Sequence, residues 1–223
     1  MKLVHTGYHL DIPLKENQIT VLSVEHQKVY SEMLNDLWRQ CQGEDGQFIL
    51  SQQEKEKNIA KEMECIFNPF SLDCNDKKIL NKLYSEIMYQ ADNFLQNEMV
   101  SLNQSIILFL EKAIQHVPYS IDYNVDVDFS SILKMYGVKI ECSYENLLEK
   151  IVEYLKVLHL VCNIHIFVFV GLKQYLTEEE LKSLYEFVFY NKINLIIVEA
   201  IHSSHIEGEK CWLLDKDMCI IEL

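Results

Sequence analysis

The chain has 223 residues, 49% of them hydrophobic and 24% charged, with only six Gly and three Pro. That length and apolar share exclude disorder and leave room for one large domain or two small ones. The formal charge is −14, which by itself argues against a polyanion partner, and Arg39 is the one arginine among 20 bases, so the planar fork used for reading base edges is nearly absent and sequence-specific nucleic-acid recognition is not expected.

In chain order, residues 3–14 read as a lead-in strand ending at Pro13, and the β-branched run 19–24 as a buried strand. Val29, Met33, Leu34, Leu37 and Trp38 then fall on one helical face, stopped by the stretch from Gly43 to Gly46, and 47–50 is a further strand. From Asn75 to His116 there is neither Gly nor Pro, and the apolar residues keep helical spacing. This predicts one long helix, or two with a break near 97–103, closed by Pro118. A polar link (119–127) leads to a short helix ending at Gly137, and a second long amphipathic helix is expected over 144–162. The run 164–170 has no polar face and suits a strand covered on both sides. Thr177 with Glu180 forms a capping-box signature for a helix reaching about Tyr190. Residues 195–198 follow at the distance of a parallel βαβ crossover, and 213–221 read as a hairpin turning at Asp215-Lys216-Asp217. The fold class that emerges is α/β, a mostly parallel sheet built from both ends of the chain, with a helical excursion between them.

Seven cysteines (Cys41, Cys65, Cys74, Cys142, Cys162, Cys211 and Cys219) include no CxxC pair and read as buried, reduced thiols. With no signal-peptide apolar region at the N-terminus and no apolar stretch of membrane-spanning length, the expectation is a soluble, cytoplasmic protein with no membrane partner.

The junction after the first buried strand, Val24-Glu25-His26-Gln27-Lys28, lacks the glycines of a phosphate-cradling loop, and Glu25 would repel phosphate; nucleotide hydrolysis there is not expected. His202 and His205 share a loop with Glu199, Glu207 and Glu209, yet no spacing fixes a third metal ligand; His159 and His165 read as structural. The richest polar cluster is Asp122-Tyr123-Asn124-Val125-Asp126-Val127-Asp128, whose oxygen-bearing side chains would share one side of an extended backbone, as a hard cation needs. Val127 and Leu133 stand where an EF-hand loop needs Gly and Glu, so that motif is excluded. A polar link with Asp128 as a helix cap is the other reading, and Glu141 and Glu145 lie close enough in sequence to complete a site. The window 51–82 holds six Lys against six acids, neutral within an acidic chain. Either a solvated helix face or a stripe contacting a phosphate backbone accounts for it.

Several patches together resemble a known family. They are Leu72-Asp73-Cys74-Asn75-Asp76-Lys77-Lys78 with the helix start that follows, Asp126-Val127-Asp128-Phe129 leading into Met135-Tyr136-Gly137-Val138, the buried strand at 165–170 followed by Tyr175-Leu176-Thr177, Leu195-Ile196-Ile197-Val198-Glu199, and Leu214-Asp215-Lys216-Asp217 near the end. In order and spacing they are similar to the spacer-acquisition accessory proteins of type II-A CRISPR systems, the Csn-two family. The resemblance implies a degenerate nucleotide-binding-like α/β head (1–74 and 163–223) and a helical leg (75–162). It implies a ring-shaped homotetramer that takes double-stranded DNA ends without catalysis, alongside the CRISPR integrase complex and effector nuclease. It also implies Ca²⁺, with Asp122, Asp126, Asp128 and Glu141 as the acids in the matching region and Lys55, Lys57, Lys61, Lys134 and Lys139 as the bases near DNA. Two departures, Leu14-Lys15-Glu16-Asn17 and the extra acid Asp76, subtract from the basic surface. The alternatives are a nucleotide-binding protein with residual ATPase activity and a scaffold for protein–protein interaction.

Overall fold

In a computed structural model, residues 1–126, 128–201 and 204–223 are described. The elements run β1 (Lys2–His5), β2 (Leu10–Pro13), β3 (Ile19–Val24), α1 (Gln27–Cys41), β4 (Phe48–Gln52), β5 (Lys55–Lys57), α2 (Ile59–Glu62), β6 (Met63–Ile66), α3 (Lys77–Phe94) and α4 (Gln96–Ile114). They continue with α5 (Phe129–Met135), α6 (Leu147–Cys162), β7 (Ile166–Val170), α7 (Glu178–Tyr190), β8 (Asn194–Glu199), β9 (Glu209–Leu214) and β10 (Ile220–Glu222).

The chain divides into two compact units, Met1–Cys74 with Cys142–Leu223, and Asn75–Glu141. The first unit carries a six-stranded sheet in the order β10-β9-β3-β8-β7-β6, parallel except for β10 at the edge, and a four-stranded antiparallel sheet, β2-β1-β4-β5. The central strands β3, β7 and β8 are buried almost throughout, which is why their sequences carry no polar face. Val29, Met33 and Leu37 of α1 pack with Leu22, Val168, Ile196 and Val198 and with Leu3, Ile12 and Leu50 of the smaller sheet in one core. Phe167, Phe169, Leu195 and Ile197 point the other way by strand alternation. The buried faces of α6 (Ile151, Leu155, Leu158) and α7 (Leu181, Leu184, Val188) form a layer outside the α1 core.

The capping box at Thr177 forms as read: its hydroxyl accepts from the Glu180 N–H while the Glu180 carboxylate accepts from the Thr177 N–H. The closing hairpin also forms, with Asp215 Oδ1 accepting from the Asp217 and Cys219 amides. Three expectations change. Residues 3–14 form two strands of a hairpin, not one. The break in the long helix lies at Leu95, where the backbone leaves helical geometry although its N–H still reaches Ala91 and its carbonyl accepts from Met99. Helix α6, assigned on sequence to the leg, belongs to the first unit, because amphipathic spacing shows that a helix buries a face without saying on which body. The hairpin joining β4 and β5 turns on Gln53 and Glu54, both left-handed at φ 49° and 64°; without glycine each costs on the order of 1 kcal/mol.

In the second unit, α3 is capped by Asp76, whose carboxylate accepts from the Ile79 amide, and the Tyr84 hydroxyl donates to the Val138 carbonyl. Helix α4 buries none of its residues and exposes Val100, Leu102, Leu108 and Phe109.

Candidate nucleic-acid interface and cation site

The lysines expected near DNA fall in both units. Lys55 and Lys57 stand two apart on β5, the edge strand of the smaller sheet, so they share a side, with exposed Glu56 on the opposite one. Lys61 is exposed on the single turn of α2, which Asn58 caps by accepting from the Lys61 amide. These three therefore do not form one helical face; they belong to a hairpin edge and the short helix after it. Lys57 pairs with Glu62 at 3.5 Å in a partly exposed bridge, whereas Lys55 and Lys61 make no ion pair among the described residues. In the second unit Lys134 is exposed on the last turn of α5, and exposed Lys139 lies in the irregular segment after it.

The acids expected to hold Ca²⁺ lie in that second unit, and the structure does not bring them together. Asp122 and Asp126 are exposed in a segment without regular structure, where the Asn124 side chain accepts from the Asp126 amide and so bends the backbone out of extension. Asp128 caps α5, its two carboxylate oxygens taking the Ser130 amide and the hydroxyls of Ser130 and Ser131. Those bonds, from Ser131 first and then Ser130, hold its carboxyl below the ordinary aspartate value. Glu141 is exposed at the end of the unit, and Val127 lies outside the described residues. Among the described residues no three His, Cys, Asp or Glu side chains converge as a metal would require, so the acids in this arrangement do not fit a bound cation.

A buried polar network is the feature that sequence reading missed. Glu209, at the start of β9, has a fully buried side chain that pairs with Lys173 at 2.8 Å and accepts from the Tyr185 hydroxyl at 2.6 Å and the Ile206 amide at 2.9 Å. Lys173 Nζ also donates to the Ser204 carbonyl, and its backbone N–H donates to buried Glu199. Burial pushes the Glu199 carboxyl up, and burial with the Glu209 bond pushes the Tyr185 hydroxyl up. Glu199 and Glu209, two of the three acids suggested for a histidine metal site, are thus committed within the fold, while Glu207 is exposed; His205 faces the Glu209 carbonyl, and His202 lies outside the described residues. His159 and His165 stack edge to face at 4.8 Å, and burial followed by the His159 ring holds His165 below its ordinary value. At the end of β3 the His26 ring accepts from the Val29 amide, so a side chain occupies the first turn of α1 where a phosphate cradle would need bare backbone.

Comparison with known proteins bears on the whole chain. The family described as CRISPR-associated protein (Cas_Csn2) matches residues 40–218, about four-fifths of the sequence. The chain belongs to the CRISPR-associated Csn2 family. Among family members, CRISPR-associated protein Csn2 of Streptococcus agalactiae is 23% identical over 95% of this chain and 94% of its own length. The Enterococcus faecalis protein of the same description is 20% identical over 85% of this chain and 86% of its own. The crystal structure of Stu0660 of Streptococcus thermophilus aligns with all of this chain and 76% of its own, at TM-score 0.64 and 12% identity, a likeness of fold. Among the described residues no helix is long and apolar enough to cross a membrane.

Proposed function

We propose that this chain is a non-catalytic, sequence-independent binder of double-stranded DNA ends, working in the cytoplasm as a ring-shaped homotetramer during spacer acquisition. Family membership supports a role in CRISPR adaptation. The observation that carries the DNA reading is the placing of Lys55 and Lys57 on one side of the edge strand β5, with exposed Lys61 just after it, in a stretch that is neutral on a chain of charge −14. Lysine ammonium groups attract phosphate without reading bases, so the binding is salt-sensitive and blind to sequence. Lys134 and Lys139, exposed in the second unit, are the further bases proposed to contact phosphate. The unpartnered apolar residues of α4 support self-association, since a second copy would cover them. The side-chain cap at the β3–α1 junction weighs against the nucleotide-hydrolysing alternative.

Calcium belongs to the proposal as the ion that Asp122, Asp126, Asp128 and Glu141 would serve. Because they stand apart in this structure, such a site requires the segment 119–128 to change conformation. The CRISPR integrase complex and effector nuclease are the partners proposed for the assembly. Solution mass by light scattering, with Ca²⁺ and with a chelator, tests this part of the reading. A four-chain mass that falls when calcium is removed is expected. A single-chain mass under both conditions overturns the ring, and a tetramer indifferent to the chelator overturns the role of calcium.

A further inference from the structure

The chain leaves the first unit after Cys74 and re-enters it at Cys142, so these two cysteines mark both connections of the helical unit. Cys74 is buried and Cys142 half-buried, and the two thiols lie close enough for one to act on the other. One residue further on, within the second unit, the Asn75 side chain pairs twice with Ile140, accepting from its N–H at 2.8 Å and donating to its carbonyl at 3.0 Å. The chain therefore runs side by side with itself at Asn75 and Ile140, and Cys74 and Cys142 adjoin that pair in sequence.

We propose that Cys74 and Cys142 are a redox modification site: in the presence of a low-molecular-weight disulfide they form a cystine that closes residues 75–141 into a covalent loop. The Cys142 thiol, the more accessible, loses its proton and attacks the small disulfide, breaking its S–S bond and releasing one thiolate. Cys74 then loses its proton and attacks Cys142 Sγ, forming the protein disulfide and releasing the second thiolate. The protein thiols give up two electrons and two protons, and the small disulfide is reduced to two thiols. In a reducing cytosol the pair stays open.

Burial, then the contact with Cys142, raises the Cys74 thiol above its ordinary value, which slows the second attack at neutral pH and makes closure faster as pH rises. Closure restricts the unfolded helical unit, whose ends can no longer separate, and so favours its folded form. Cys41 and Cys65, at the end of α1 and on β6, are a second pair of neighbouring thiols. Both pack against the α1 core, and a bond between them would leave the connections at 74 and 142 open.

The test treats the full chain with oxidised glutathione at pH 7 and pH 9, alkylates the remaining thiols, and maps cross-linked peptides by mass spectrometry. The expected result is a peptide joining Cys74 to Cys142, formed faster at pH 9, absent in C142S and retained in C41S. Thermal unfolding of the oxidised chain should shift upward by several degrees and return to its starting point with dithiothreitol. The proposal is overturned if all seven thiols remain alkylatable, if the intramolecular product is Cys41–Cys65 alone, or if only intermolecular disulfides appear. Because the peptide map is read on the unaltered chain, it decides the matter even if C142S folds poorly.

Discussion

Replacing Lys173 by methionine is expected to destabilise the first unit by about 3–5 kcal/mol, the largest loss from any single substitution considered. Glu209 has a completely buried side chain, and Lys173 is its cationic partner at 2.8 Å. With the ammonium removed, the carboxylate keeps the Tyr185 hydroxyl and the Ile206 amide but loses the charge that offsets its desolvation. A buried charge left in that state costs far more than the net worth of the pair. The double substitution K173M/E209L, which removes both charges, should therefore recover most of the stability. Denaturant unfolding of the three proteins checks this: a K173M midpoint equal to that of the unaltered chain would show that water reaches Glu209 and that the network is not buried in solution.

The charge reversal K55E/K57E/K61E is expected to weaken duplex binding by on the order of several hundred-fold at 0.1 M salt, since each lost phosphate contact removes close to one counterion from the linkage. The slope of log K against log salt should also fall by about 3. Fold and assembly should survive. The three lysines lie on an edge strand and a single helical turn, and the one ion pair disturbed among the described residues, Lys57 with Glu62, is partly exposed. Binding that drops with no change in solution mass supports the basic edge as the DNA surface. Unchanged affinity and slope would move the DNA contacts elsewhere, with Lys134 and Lys139 next to be reversed.

Much of the α/β core could be read from the sequence because burial leaves a one-dimensional mark. β3, β7 and β8 are covered on both sides, β7 and most of β8 as unbroken apolar runs and β3 as a β-branched run with small polar residues at Thr20 and Ser23, and the Thr177 cap needs partners only three residues away. Strand β5 escaped notice because it reads Lys-Glu-Lys, an edge strand whose charges give no apolar signal. The base of the helical unit was misplaced because the Asn75–Ile140 clamp joins residues 65 apart, and Lys173 finds Glu209 at a separation of 36. No local pattern announces such pairs. Of the two readings of the acidic segment, the helix cap at Asp128 is the one seen, for a related reason. Alternating Asp residues share a side only in extended backbone, and here Asn124 turns the chain while Asp128 spends its oxygens on Ser130 and Ser131.

The net charge that first argued against a polyanion partner is distributed, not uniform, and the basic edge at β5 is where the DNA reading stands or falls. Competition between linear and closed-circular duplex of the same sequence, at fixed low salt and with Ca²⁺ present, tests that reading most directly. A ring that is threaded by an end should bind the linear form and leave the closed circle free, and relinearising the circle should restore binding. Equal affinity for both forms, or none for either, would contradict it.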